Sequence, residues 1–204
     1  MTDTFLDKVY DARDAASTRK LYDDWSGSYD SEVIGQGYAT PGRCAAALAS
    51  FTDDFTAPVL DFGCGTGLSG DALTAAGFKT IDGLDLSQEM IDQAAQKGIY
   101  RSLNRIDADG TLAFAPGTYS AIAAIGVIGA GAAPVSMFHV LMNALASGGK
   151  LVFSYNDHAL EDPAYEAALC EWVDCGAATL LFREHGPHLP GIDLKSNVYV
   201  VEKV

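Results

Sequence analysis

The chain has 204 residues, 49% of them hydrophobic, with 27 acidic against 13 basic side chains and a net charge of −14 at neutral pH. That length suits one domain with a continuous core, closed without disulfides or a metal. The acidic excess counts against nucleic acid and anionic membranes as partners, because phosphate binders concentrate Lys and Arg on one face. Here the bases are scattered; only Arg19 and Lys20 are adjacent, and Asp23 and Asp24 follow at once. The expectation is therefore no nucleic acid, no membrane and a small-molecule partner, with nothing to indicate an oligomeric state. The N-terminal sixteen residues carry charges throughout and no apolar signal core. Cys44, Cys64, Cys170 and Cys175 show neither CxxC spacing nor clustering with His, which suits a reducing cytoplasm and predicts no metal site.

In chain order, residues 1–55 read as helices and 56–204 as alternating strands and helices, within one structural domain. The segment 14–25, DAASTRKLYDDW, is a polar-rich helix, and Thr40-Pro41 predicts an N-cap followed by proline at the first helical position. Residues 58–62 predict a short buried strand running into glycines, followed by a helix to about Ala76 with Gly77 as its cap. The next strand is 78–86, and Ser87 caps a helix that stops at Gly98. Strands at 99–107 and 118–126 follow.

Between residues 110 and 149 there is no Asp, Glu, Lys or Arg. A stretch that long without charge invites comparison with a membrane span. Pro116, Gly117, Gly126, Gly129, Gly131 and Pro134 break any continuous helix, so it reads as strand, glycine turn and amphipathic helix. In that helix Phe138, Leu141, Met142 and Leu145 recur at helical spacing. A fifth strand spans 150–156, Asp162-Pro163 opens another helix, and 178–185 with 196–204 form a closing antiparallel pair. The alternation implies an α/β fold: a parallel sheet covered on both faces, with ligands at the carboxyl ends of the strands.

The most informative stretch is VLDFGCGTG, residues 59–67. Gly63 and Gly65 allow a sharp turn and a close backbone approach to a ligand. The dinucleotide fingerprint GxGxxG is broken, since its sixth position is Leu68 and the third glycine, Gly67, comes one residue early. Asp61 at the strand end would repel a pyrophosphate and attract an ammonium or sulfonium, which disfavours a nicotinamide oxidoreductase. Asp85, twenty residues after Gly65, ends the second strand where a carboxylate accepts both ribose hydroxyls. Asp107-Ala108 ends the third, placed to accept from an adenine amino group, with Asp109 as the competing candidate. Carboxylates on three successive strand ends describe an adenosine with a cationic tail.

These residues resemble the class I S-adenosylmethionine-dependent methyltransferases. DFGCGTG is similar to the first motif of that family, GLDLSQEM to its second and IDAD to its third, and YDDWSGSYD resembles the Tyr-Asp-x-Trp…Tyr-Asp element of small-molecule members. Within the family the chain is similar to the Williams–Beuren-region methyltransferase-like group. The resemblance implies a Rossmann-like, seven-stranded, mostly parallel sheet with an antiparallel last strand, helices on both faces and an N-terminal helical lid. It implies S-adenosyl-L-methionine as cofactor and S-adenosyl-L-homocysteine as product. Asp61, Gly63, Cys64 and Gly65 would line the methionine end. Asp85, Leu86 and Met90 would surround ribose and adenine, with Asp107 and Ala108 at the adenine edge, and Tyr22, Trp25 and Tyr29 closing over the cofactor.

Two departures from the family pattern bear on the site. The fourth strand opens on Tyr119-Ser120 where an acidic residue is usual, which predicts a loss of local hydrogen bonding. After that strand GVIGAGAAP replaces a polar pair, which predicts an acceptor site that is at least partly apolar. No general base is identified; Tyr29, Asp157 and His158 are the candidates. Trp25 and Tyr29 can equally pin the N-terminal helix to the core, and Cys64 is small enough to serve a crowded loop. His139 reads as a solvated or rim residue, and His185 and His188 as a surface loop between the last strands, with a place flanking the acceptor pocket as the alternative. The expected function is methyl transfer from S-adenosylmethionine to a small, partly apolar molecule by in-line displacement. The alternative is a non-catalytic protein that binds S-adenosylmethionine or S-adenosylhomocysteine as a sensor or partner subunit.

Overall fold

The computed structural model describes residues 15–106, 112–129 and 131–204. Three helices come first: Ala15–Trp25 (α1), Tyr29–Gly35 (α2) and Thr40–Ala49 (α3). Then follow Val59–Phe62 (β1), Leu68–Ala75 (α4), Ile81–Asp85 (β2), Gln88–Gln96 (α5), Ser102–Arg105 (β3), Ala121–Ala124 (β4) and Ser136–Ala144 (α6). The chain closes with Lys150–Asn156 (β5), Asp157–Leu160 (α7), Pro163–Asp174 (α8), Ala178–Leu189 (β6), a 3₁₀ turn at Pro190–Ile192 and Leu194–Lys203 (β7).

The seven strands form one sheet in the order β3-β2-β1-β4-β5-β7-β6. β1 pairs in parallel with β2 on one side and β4 on the other, whereas β7 runs antiparallel to both β5 and β6. Short apolar strands separated by helices enforce this, since a parallel return needs a crossover. The strand order reverses at β1 and β4, and their carboxyl ends bound the crevice where such sheets bind ligands. One face packs Phe62, Ile122, Phe153 and Tyr199 against α6 and α8; the other packs Val59, Ile81, Ala123 and Val200 against α3 and α4.

Local signals hold where they rest on a cap or a buried run. The Ser87 side chain accepts from the Met90 N–H at 3.1 Å, and Asp162 accepts from the Ala164 N–H at 2.9 Å. Elsewhere the strands are shorter than their apolar runs. Phe78, placed in a strand by its neighbours, donates its N–H to Leu73 O and so closes the end of α4. Thr40 is not the N-cap of α3; that position is Ala39, and the Thr40 hydroxyl turns to residues nearly 150 positions away. β6 runs through His185 and His188 to Leu189, so neither histidine lies in a loop. His139 accepts from Trp172 Nε1 at 2.9 Å, which makes it a contact between α6 and α8 rather than a rim group. Tyr119 and Ser120 lose no hydrogen bonding: Tyr119 Oη donates to Asp82 at 3.0 Å and Ser120 Oγ to Pro58 O at 3.0 Å. Among the described residues, no helix is long and apolar enough to cross a membrane.

Candidate cofactor and acceptor site

β1 delivers Asp61 to the sheet edge with no solvent exposure. Its Oδ2 accepts from Ser69 Oγ at 2.6 Å and Tyr100 Oη at 2.7 Å, while Oδ1 is buried without a hydrogen-bond partner among the described residues. Burial, opposed in part by the two hydroxyls, pushes the carboxyl up to about 6. An unmatched buried carboxylate oxygen is costly, and a cation is the ligand that relieves it.

The turn after β1 is held by backbone bonds across to β2: the N–H groups of Gly63 and Cys64 both donate to Leu84 O, at 2.8 and 3.0 Å. Gly65 N–H donates to Asp85 Oδ2 at 2.8 Å, and Ser87 N–H to Asp85 Oδ1 at 2.9 Å. A carboxylate offers about four acceptor positions. The Gly65 and Ser87 N–H groups take one position on each oxygen, and the remaining acceptor capacity of Asp85 is available to a ligand's hydroxyls. Burial raises its pKa above the usual carboxylate range. Leu86 is half-buried beside it and Met90 is buried at the start of α5. Cys64 is buried, and its thiol is pushed well up by burial and by Asp61 and Asp85, which suits a packing role. Asp107, Ala108 and Asp109 lie outside the described residues.

The N-terminal segment folds over this edge. The first helix ends at Trp25, as its sequence predicts, and after a Ser-Gly-Ser turn at 26–28 the chain restarts as α2 at Tyr29. The two rings still meet edge-on at 4.7 Å, and Tyr22 stacks on Trp25 at 5.9 Å. Trp25 is 2% exposed and packs with Val33, Leu189 and Leu194. Three contacts tie the segment to the cofactor loop and to α5: Thr66 Oγ1 donates to Asp30, Lys97 lies 3.6 Å from Asp30, and Gln93 Nε2 donates to Ser26 O at 2.7 Å. Burial raises the Tyr29 hydroxyl well above its ordinary range, reinforced by Tyr38, Asp30 and Asp85, so Tyr29 borders the carboxylate edge as well.

Beyond the aromatic wall lies a pocket of about 640 Å³, counting its open mouth. Tyr22, Trp25, Tyr29 and Tyr38 form one side; Gly126, Ile128, Gly129 and Ala132, from the charge-free run, form another. Ser154, Asn156 and His188 supply polar atoms, and among the described residues no Asp, Glu, Lys or Arg lines it. Of the three candidate bases, Tyr29 is on the wall. Asp157 and His158 are not: Asp157 Oδ2 accepts from the Lys195 N–H at 3.0 Å, and His158 is half-exposed, 4.0 Å from Glu161. Tyr38 carries no signal in the sequence, and His188, read first as a loop residue with the pocket rim as the alternative, lies on the wall. Only the pairing of β6 with β7 carries His188 inward, and no local pattern encodes it.

Residues 59–149 match the family described as "Methyltransferase domain". Human methyltransferase-like protein 27 is 32% identical over 124 residues, covering 59% of this chain and 51% of that protein, which fits the group resemblance seen in the motifs. Bovine 18S rRNA (guanine-N(7))-methyltransferase is 36% identical over 99 residues, covering 48% of this chain and 34% of that protein. The matches to these relatives therefore span about half of their length or less. Among solved structures, magnesium protoporphyrin IX methyltransferase from Synechocystis PCC 6803 with bound S-adenosylmethionine superposes with a TM-score of 0.71 at 16% identity, covering 94% of this chain and 98% of that one.

The rRNA-methylating relative overturns the exclusion of nucleic acid drawn from net charge, and with it the restriction to a small-molecule partner. Net charge averages the whole surface. An RNA acceptor need place only one base in a pocket, and about two thirds of that relative lies outside the match. The likeness runs through the glycine loop and both strand-end carboxylates that the sequence offered first. Residues 59–149 thus match a methyltransferase domain, and the chain as a whole is similar to the class I S-adenosylmethionine-dependent methyltransferases.

Proposed function

We propose that this chain transfers a methyl group from S-adenosylmethionine to an acceptor whose reacting portion is uncharged and at least partly apolar. The observation that carries the reading is the pocket itself, which flanks Val127, the residue packed against Gly63 of the glycine loop, and has no charged side chain in its lining among the described residues. When bound, the cofactor supplies an electrophilic methyl on a sulfonium; the chain's own groups bind, orient and exclude water. Asp61 Oδ1 is the cation's counter-charge, Asp85 takes the ribose hydroxyls, and Leu86 and Met90 flank the base. Tyr22, Trp25 and Tyr29 close the edge, with residues 1–55 capping the 56–204 core. Keeping water out strengthens each electrostatic contact and prevents loss of the methyl to solvent. Alignment of nucleophile and methyl is the main contribution asked of the fold.

The direct test is label transfer from methyl-tritiated S-adenosylmethionine into two acceptor pools, total RNA and a small-molecule extract. Transfer into either supports the reading. Tight binding of S-adenosylhomocysteine with no transfer into either pool turns the assignment to a sensor or partner subunit.

The Asp61 site also predicts a proton linkage. With no cation beside it, the carboxyl titrates at about 6. A bound cation favours the carboxylate, so cofactor binding below pH 6 releases a proton. Affinity should then rise by up to about tenfold per pH unit as pH climbs toward 6, and level off above it. Calorimetry in two buffers of different ionisation enthalpy reads the released proton, and Asp61→Asn should abolish it. Proton uptake, or no exchange at pH 5.5, contradicts the placement of the cation.

A further inference from the structure

His188 is the one histidine on the pocket wall, 8% exposed, and its ring is fixed from behind. Nδ1 lies 2.8 Å from Thr40 Oγ1, which lies 2.9 Å from Ser196 Oγ. Arg43 Nη1 donates to Ser196 Oγ at 3.1 Å and also to Ser196 O and Pro187 O. The edge of the Tyr38 ring meets the imidazole at 5.2 Å, and the Ala39 N–H holds the His188 carbonyl at 2.9 Å.

A guanidinium can only donate, so Ser196 Oγ accepts from Arg43. A hydroxyl carries one proton and two lone pairs, so that contact alone does not orient the two beyond it. In the orientation that lets His188 donate into the pocket, Ser196 donates to Thr40 and Thr40 donates to Nδ1 of His188. A neutral imidazole whose Nδ1 accepts must carry its proton on Nε2. The ring is neutral at working pH, because burial, with Arg43 and His158 adding to it and Asp157 opposing, lowers its pKa to about 4. His188 is thus a poor general base and a good fixed donor.

We infer that His188 is the polar anchor of the acceptor site, donating from Nε2 to an oxygen or nitrogen lone pair on an uncharged, planar acceptor group. This rests on the reading of the pocket as the acceptor site. Tyr22, Trp25, Tyr29 and Tyr38 offer aromatic faces to the planar body, and among the described residues no charged side chain lines the pocket to pair with a charged group on it. Selection comes from the donor: a group that presents only N–H or O–H protons to His188 leaves its buried N–H unmatched, which costs affinity. Thr40 and Ser196 are positioning residues, acting only through the ring.

The test uses full-length protein labelled with ¹⁵N-histidine and saturated with S-adenosylhomocysteine, with acetophenone as a neutral acceptor probe and benzylammonium as its charged donor counterpart. The expected spectrum shows His188 as the Nε2–H tautomer, with acetophenone shifting the Nε2 resonance and benzylammonium leaving it in place. Thr40→Val should mix the tautomers and weaken acetophenone binding at least fivefold. Thr40→Ser should restore both, and S-adenosylhomocysteine affinity should stay within twofold throughout. An Nδ1–H tautomer in the wild type, a tautomer unmoved by Thr40→Val, equal binding of benzylammonium, or no binding of acetophenone overturns the inference. Failure of S-adenosylhomocysteine to bind the wild type would instead sink the methyltransferase reading, while the tautomer, readable without it, still judges the anchor.

Discussion

Asp85→Ala is expected to lower affinity for S-adenosylhomocysteine by about 100-fold or more while the fold survives. Hydrogen bonds to a charged acceptor contribute about 1.5–3 kcal/mol each. Two ribose hydroxyls on one carboxylate therefore account for about two factors of ten at the low end, since each tenfold corresponds to about 1.4 kcal/mol. The substitution also strands the Gly65 and Ser87 N–H groups, which each donate to one Asp85 oxygen, so the glycine loop loses its tie to β2 as well as its ligand contact. Asp85→Asn separates the two effects. An amide presents one oxygen and one NH₂ group, so one of those backbone donors must face another donor. Its affinity should lie between the wild type and Asp85→Ala. Calorimetry with circular dichroism as the folding control checks the series, and an unchanged affinity in Asp85→Ala removes Asp85 from the site.

How far such residues are legible in sequence depends on whether their role is local. Asp61, Gly63, Gly65 and Asp85 announce themselves because a strand, a glycine turn and a strand-end acid lie within 27 consecutive residues, 59–85. Ser87 and Asp162 act on N–H groups two or three positions away, so their caps follow from the chain alone. His188 does not. Its partner Thr40 is 148 positions distant, and only the antiparallel return of β6 along β7 sets them together. Thr40 itself was misread for the same reason: a threonine before proline is a good local cap, but a buried hydroxyl partner across the sheet claims it. Tyr119 shows the converse. The missing acid at that position is offset by a phenol long enough to reach Asp82 on β2, one strand beyond β1. Charge misled most broadly, since a count of acids says where the surface stands on average and nothing about which acceptor enters one uncharged pocket.

The two glycines of the loop look equivalent in sequence, and the structure predicts opposite consequences for them. Gly63 has φ +70° and Gly65 φ +52°, a backbone region that costs an L-residue roughly 1–2 kcal/mol. A Cβ on Gly63 would stand 2.2 Å from Val127 Cγ2 and 2.7 Å from Val127 Cβ. Overpacking of that kind adds about 1–3 kcal/mol, so Gly63→Ala should lose about 2–5 kcal/mol of stability. In a chain of this size that is a fall in Tm of about 4–20 °C. Val127→Gly should recover part of it by removing the clash but not the backbone strain. A Cβ on Gly65 meets nothing within 4 Å, so Gly65→Ala should cost only the conformational part, about 1–2 kcal/mol. If that open space is where the methionine end of the cofactor lies, Gly65→Ala should nonetheless weaken S-adenosylhomocysteine binding more than its loss of stability suggests. Thermal melts with and without S-adenosylhomocysteine separate the cases: Gly63→Ala should melt early but keep most of its ligand-induced rise in Tm, whereas Gly65→Ala should melt near the wild type and lose that rise. The reverse pattern would place the ligand elsewhere. The clash that distinguishes them comes from Val127, in the charge-free run between residues 110 and 149. That run lies against the glycine loop at Gly63 and lines the pocket at Gly126, Ile128 and Gly129, so under the proposed function its apolar character would serve both sides of the transfer.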